Sequence, residues 1–248
     1  LTLVLNISLG QVSIPVKEVF KSLSGAIASK DTWEYIIVNF RLPKAITAVL
    51  VGMGLSISGL LMQTLFRNPL AGPYVLGLSS GSSLGVALII LGAAFLPSLV
   101  SEILLSSYGI IVASCLGSFL VLLLVLIVSS RLRDTATILI VGLMFSSFTS
   151  AIVSVLTYFS SAEQLQKFTF WSMGNLGNLS WQNIIILAIV ITIGLVLSLI
   201  SIKSLDALLL GENYAKSMGL NIKKSRYIII IATSLLAGSI TAFAGPIA

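Results

Sequence analysis

Long stretches without a charge set the organisation of this chain. Six of them, at 45–66, 74–101, 103–130, 135–162, 182–202 and 227–248, reach the roughly 20 residues that a helix needs to cross a hydrocarbon core. A shorter apolar remnant at 1–9 would be a seventh. The runs are too long for barrel strands and lack the alternation a barrel needs. In lipid each backbone amide must find its partner within the segment, so the pattern predicts helices. The first run looks incomplete, and the last stops at Ala248 without a polar tail, so the chain reads as truncated at both ends.

Composition strengthens this reading. The 248 residues are 57% hydrophobic and only 9% charged, against about 25% charged in soluble domains. An integral membrane protein is the class that fits. The net charge of +6 is thinly spread and forms no nucleic-acid patch. Histidine is absent and Cys115 is the one cysteine, which excludes disulfides within the chain and thiolate metal sites. Cys115 is expected to be a small packed residue.

Charge also orients the helices. Arg67, Arg131, Arg133, Lys203, Lys216, Lys223, Lys224 and Arg226 fall on one side. The short connections of the other side hold Lys167, beside Glu102 and Glu163. The first side is therefore predicted to be cytoplasmic. The longer segment 10–44 falls outside with five cations, which narrows the excess to eight against six. Arg41 and Lys44, in "FRLPKAITAVL", then face out. They could snorkel at a helix end, or they could meet an acidic partner outside the cell.

The interior of the runs is informative for what it contains and omits. Gly77, Gly81 and Gly85, and Ala48, Gly52 and Ser56, recur every four positions, the spacing that lets helices approach closely in lipid. Gly142, Ser146, Ser150 and Ser154 form a more polar stripe. Its hydroxyls could bond to neighbouring helices or line a passage. No ionisable residue lies at mid-depth, which argues against a proton-coupled carrier. No phosphate-binding GxxxxGK[ST] loop occurs, so energy for transport would come from another subunit.

Two connections predicted to be cytoplasmic carry recognisable chemistry. In "LFRNPLAGPYVLGLSSG", Pro69 and Pro73 punctuate a sharp turn. In "LDALLLGENYAKSMGLN", Gly211 divides two short amphipathic helices, Glu212 opens the second, and Lys216 can pair with Glu212 four residues back. Gly219 suits a C-terminal cap. This pair could lie on lipid or fit a partner's groove. On the other side, Trp171 and Trp181 in "FTFWSMGNLGNLSW" suit the membrane interface, with a gate or docking surface as the alternative.

The run "RLPKAITAVLVGMGLSISGLLMQTLFRNPLAGPYVLGLSSGSSLG" resembles the FecCD family, the permeases of ATP-driven importers for iron-siderophores, haem and cobalamin. "WSMGNLGNLSW", "LLLGENYAKSMGLN" and "AGPI" continue the match in order, from about residue 33 to the end. The resemblance implies an all-α, polytopic transmembrane helical bundle of the type II ABC importer kind. Of an expected ten spans, about six would be complete here, in a single permease domain over 1–248. Roughly three helices would follow "AGPI", and Ala248 stands where the family usually has glycine. A segment at 203–226 would couple the permease to the ATPase, with Gly211, Glu212, Ala215, Met218 and Gly219 in the element that seats there. Arg41 and Lys44 would dock the binding protein. Ser146, Ser150 and Ser154 would face the translocation pathway.

The implied assembly contains a second permease, identical or not, two cytoplasmic ATPase subunits and an extracytoplasmic substrate-binding protein, in the inner membrane of a prokaryote. The chain itself would bind no cofactor and catalyse nothing, ATP and Mg being used by the partner ATPase. The expected function is import of a ferric siderophore or similar metal chelate by alternating access. A secondary transporter working without an ATPase is the alternative.

Overall fold

The computed structural model describes residues 2–24, 30–92, 103–131 and 135–247, with the side chains of 129–136 left aside. Three short helices come first: α1 (Thr2–Ser8), α2 (Val16–Leu23) and α3 (Asp31–Ile36). A π-helical turn, Ile37–Arg41, carries α3 without interruption into α4 (Leu42–Phe66). A 3₁₀ turn at Pro73–Leu76 leads to α5 (Leu78–Ile90), followed by α6 (Ser107–Arg131), α7 (Thr135–Tyr158), α8 (Ala162–Ser172) and α9 (Trp181–Ile200). The short helices α10 (Ile202–Leu210) and α11 (Glu212–Ser217) precede α12 (Ile222–Ala244). Among the described residues there is no strand.

Among the described residues, five helices are long and apolar enough to span a membrane: Asp31–Phe66, Ser107–Val128, Thr137–Tyr158, Trp181–Ile200 and Ile222–Ala244. They match five of the six runs. The run at 74–101 appears as the 13-residue α5, and its remainder from residue 93 lies outside the described residues, as do Glu102 and Arg133. The N-terminal side of α4 differs from expectation. Arg41 and Lys44 do not stand at the mouth of a helix, because helical backbone already runs from Asp31. Pro43 stands in the first turn of α4, directly after the π turn, where the i→i−4 ladder is already interrupted.

Helix α12 is the hub. Of its most apolar window 72% is buried, against 17–39% for the other spans, so the remaining helices wrap around it. It packs against α4, α5, α6 and α9. Met62, Leu187, Ile191, Ile229 and Leu236 are among the side chains closed off at this centre. Its buried Ser234 and Thr241 return their hydroxyl hydrogens to the carbonyls of Ile230 and Ala237 on their own helix. These two hydroxyls are thereby satisfied without a partner helix.

The glycine stripe of α5 is a packing device. A Cβ on Gly81 would lie 2.6 Å from the Gly117 carbonyl oxygen, and one on Gly117 would lie 2.0 Å from that of Gly81. Backbone thus meets backbone where α5 crosses α6, the geometry small residues permit in lipid. The stripe Ala48, Gly52, Ser56 behaves differently. All three are exposed, and nothing described lies within 4 Å of a Cβ built on Gly52. The packed face of α4 is instead Thr47, Val51, Gly54 and Ser58, where Gly54 receives Ile240. Cys115 also departs from expectation. It is exposed on α6 and lines an apolar groove of about 610 Å³ between α6, α9 and α12.

Candidate functional site

Three places gather the polar and charged side chains that the sequence singles out. The first is the helix pair at the Arg67 end of the bundle, the inner end by the charge rule. Helix α10 stops because Gly211 adopts φ 126°, ψ 145°, a conformation open to glycine. Helix α11 begins at Glu212 and is closed at Gly219, φ 83°. There the Leu220 amide donates to the Ala215 carbonyl and the Gly219 amide to that of Lys216, at 3.0 and 2.9 Å. This is the double bond pattern of a Schellman cap. Ala215 is fully buried, while Leu209, Leu210, Tyr214 and Met218 point outward.

Charge holds this pair in place. Glu212 reaches across to α12, where Arg226 Nη2 donates to its Oε1 at 3.2 Å. The Arg226 side chain is 6% exposed and that of Glu212 36% exposed, so the pair sits at the edge of the core. From the other direction Arg67 donates Nε and Nη2 to the Leu208 carbonyl, the first at 2.9 Å. Leu65, Arg67, Tyr214, Asn213, Ile222 and Arg226 are among the residues around an open cleft of about 710 Å³. Arg67 is a contributor that sequence reasoning missed. Its partner lies 141 residues away, and no local pattern announces it.

The second place is a hydroxyl-lined cleft of about 340 Å³ between α5 and α7. Ser150 and Ser154 are exposed there, opposite Ser79, Ser80 and Ser83, with Phe168 of α8 at one side. Ser154 donates to the Ser150 carbonyl at 3.0 Å, which leaves its oxygen open as an acceptor. Ser146 is not among the residues lining the cleft. It is half-buried, donates to Gly142 O at 3.1 Å, and lies against Gly77. The serines of α5 were legible as the run "SSGSS", but only packing brings them opposite α7. Among the described residues, no ionisable side chain lines the cleft.

The third place is the outer end of α4. Arg41 Nη1 donates to the carbonyls of Ile7 and Ser8 at 2.6 and 2.9 Å, and Nη2 donates to Val12 O. These include acceptors at the C-terminal end of α1, which have no intrahelical amide to meet. Lys44 is exposed one turn on. On the same side by the charge rule, α8 starts with a capping box in which Gln164 N donates to Ser161 Oγ and Ser161 N to Gln164 Oε1. On its surface Lys167 pairs with Glu163 at 2.8 Å. That hydrogen bond, and then the lysine charge, hold the Glu163 carboxyl below its usual range.

With this geometry in hand, similarity to known proteins is extensive. The model of the FecCD transport family matches residues 1–248. The hemin transport system permease of Yersinia pestis is 34% identical over 229 residues, covering 92% of this chain and 67% of the relative. A vitamin B12 import system permease of Vibrio cholerae is 34% identical over 217 residues, covering 86% of this chain and 62% of the relative. A solved inward-facing structure, of a transporter assigned to the metal-chelate ABC type, superposes with a TM-score of 0.83 at 29% identity. It covers 100% of this chain and 73% of that one. The chain thus spans about two thirds of the length of the curated relatives named here.

Proposed function

The chain belongs to the FecCD transport family, and from that premise we propose that it is the membrane-spanning permease subunit of an ATP-driven importer. Its cargo is a ferric siderophore or similar metal chelate, carried into the cytoplasm by alternating access. The observation that carries this reading is the α10–α11 pair. Helices of nine and six residues are too short to be stable alone in water. They are nevertheless fixed by two arginines, and they present Leu209, Leu210, Tyr214 and Met218 outward. An apolar ridge on a charged end of a membrane protein suits a protein partner.

That partner would be one of two ATPase subunits, which supply the catalysis, ATP and Mg that this chain does not. A second permease would complete the pathway beside the Ser150–Ser154 cleft. Its neutral hydroxyls would offer weak contacts to a bulky chelate and no trap for a free ion. The hemin and metal-chelate names of the relatives support chelated metal as cargo. Arg41 and Lys44 would lie on the face that receives an extracytoplasmic binding protein. Docking there and closure of the ATPase dimer would bias the permeases between outward- and inward-facing states.

The test is purification of the permease from its native membrane together with uptake of labelled ferric siderophores, haem and cobalamin. Co-purification of an ATP-binding subunit and vanadate-sensitive uptake of one chelate are expected. Vanadate-insensitive uptake without such a subunit would instead indicate a secondary transporter.

A further inference from the structure

Helix α4 ends at its inner side in the same double bond pattern that closes α11. The Arg67 amide donates to Thr64 O at 3.3 Å and the Asn68 amide to Gln63 O at 3.1 Å. Residue 67 must then be left-handed, and it is, at φ 49°, ψ 38°. Glycine is the usual occupant of that position. Among the described residues, Arg67 is the one non-glycine with positive φ. Such an outlier points to a use for the side chain that offsets the backbone cost.

The guanidinium has one. It lays Nε and Nη2 on the Leu208 carbonyl, an acceptor in the last turn of α10 that already receives the Gly211 amide at 3.2 Å. Nη2 sits 3.6 Å from where a Cβ of Gly211 would be. Its fork is therefore placed at the break between α10 and α11, and a planar fork fixes direction as well as distance. The backbone that carries Arg67 continues through Asn68–Gly72 and the 3₁₀ turn into α5, where Ser79, Ser80 and Ser83 line the hydroxyl cleft. One short turn therefore adjoins the cleft on one side and the helix pair on the other.

We propose that Arg67 is the positioning residue that sets the angle of the α10–α11 pair and links it to the α4–α5 turn, so that the state of the helices around the cleft is passed to the ATPase. This rests on the reading of α10–α11 as the ATPase contact. The α4–α5 turn cannot shift relative to α10 without bending or releasing two donor contacts. Release would free Gly211, a residue able to change its backbone angles at little cost.

Arg67→Gly isolates the side chain, because glycine suits the left-handed backbone. In the reconstituted complex with its ATPase and binding protein, the effect is read as stimulated over basal ATP hydrolysis per assembled complex, which separates coupling from any loss of assembly. Stimulation by the binding protein, and substrate moved per ATP, should fall roughly tenfold, within the usual size of a coupling between sites. Hydrogen exchange should rise in 205–217 and not in α9. Arg67→Lys, which keeps the charge without the fork, should recover only part of the coupling. Wild-type stimulation and stoichiometry in Arg67→Gly would overturn the proposal. If that variant fails to fold, wild-type coupling in Arg67→Lys would overturn it. Failure of the wild-type permease to bind any ATPase would be a separate result, overturning the reading on which the proposal rests.

Discussion

The two ends of α4 solve one chemical problem in different ways. At each end an arginine covers backbone carbonyls in the last turn of a short helix. Outside, Arg41 reaches residues 7, 8 and 12, close in sequence, from an ordinary helical backbone. Inside, Arg67 reaches Leu208 from a left-handed one. The outer contact fastens a neighbouring segment, while the inner one joins distant parts of the chain. About 37 Å of rigid helix lies between them, at 1.5 Å per residue. A cation at the end of an apolar helix is thus not by itself a mark of an acidic partner. At the outer end Arg41 is engaged with backbone, and the exposed Lys44 is the better placed of the two for docking.

The strongest way to break the contrast is at the inner ridge. Met218→Asp should reduce binding-protein-stimulated ATP hydrolysis roughly tenfold or more, with the permease still inserted and folded. The residue is 62% exposed, so the fold has little stake in it. Normal stimulation and uptake would place the ATPase contact elsewhere, the "RNPLAGP" turn being the next candidate. Next in size is Glu212→Gln, which leaves Arg226 buried beside a neutral amide. We expect a loss of about 2 kcal/mol, between the ~3–5 kcal/mol of a fully buried pair and the ~0–1 kcal/mol of an exposed one. Thermal unfolding of the detergent-solubilised protein would measure it. No change in Tm would mean that the pair only decorates the start of α11.

Smaller effects are expected outside. Lys44→Glu should slow association of the binding protein at low salt, and the double reversal with Arg41→Glu should slow it further. Arg41→Glu should in addition loosen α1, visible as faster hydrogen exchange over residues 7–14, which Lys44→Glu should not produce. Equal association rates for all three at low salt would remove both residues from docking. Least of all should come from Glu163→Gln on α8, a slight lowering of Tm at neutral pH. The sign for acid follows from the lowered carboxyl. Its stabilising contact is present above the unfolded-state pKa and is lost as pH falls through the folded value. Only on acidification into that range should wild type and variant converge, and a constant difference would mean the pair with Lys167 contributes through packing.

Much of this arrangement could be read directly from the chain. The charge-free runs located the spans, Gly211 and Gly219 bounded α11, and "GLSSGSSLG" carried the glycines of the α5–α6 crossing. Helix α8 does not emerge from apolar runs, because it is amphipathic and short. Its signal is the Ser161–Gln164 box inside "SAEQ". Which face of α4 packs was not legible, since Gly52 and Gly54 look alike and only Ile240 distinguishes them. The tie from Arg67 to Leu208 was not legible either, because it depends on where the chain returns long after residue 67. The Ser146, Ser150, Ser154 stripe separated for a similar reason: the approach of Gly77 closes one end of it, and Phe168 and the α5 serines frame the other.

The π turn at Ile37–Arg41 acts on rotation about the helix axis. Trp33, Ile37, Leu42 and Ala45 all meet Ile7, Ile14 and Val19 in one cluster, yet Ile37 and Leu42 are five positions apart. In an unbroken α-helix each added residue turns the face by about 100°, and such a step would carry Leu42 off the azimuth of Ile37. The wider turn absorbs the surplus residue and returns both stretches to a common phase. Deleting one residue within 37–41 would let the turn close as ordinary α-helix with both stretches still in phase, whereas adding one would rotate Trp33 away from the cluster, as a gear slipped by one tooth still meshes but points its mark elsewhere.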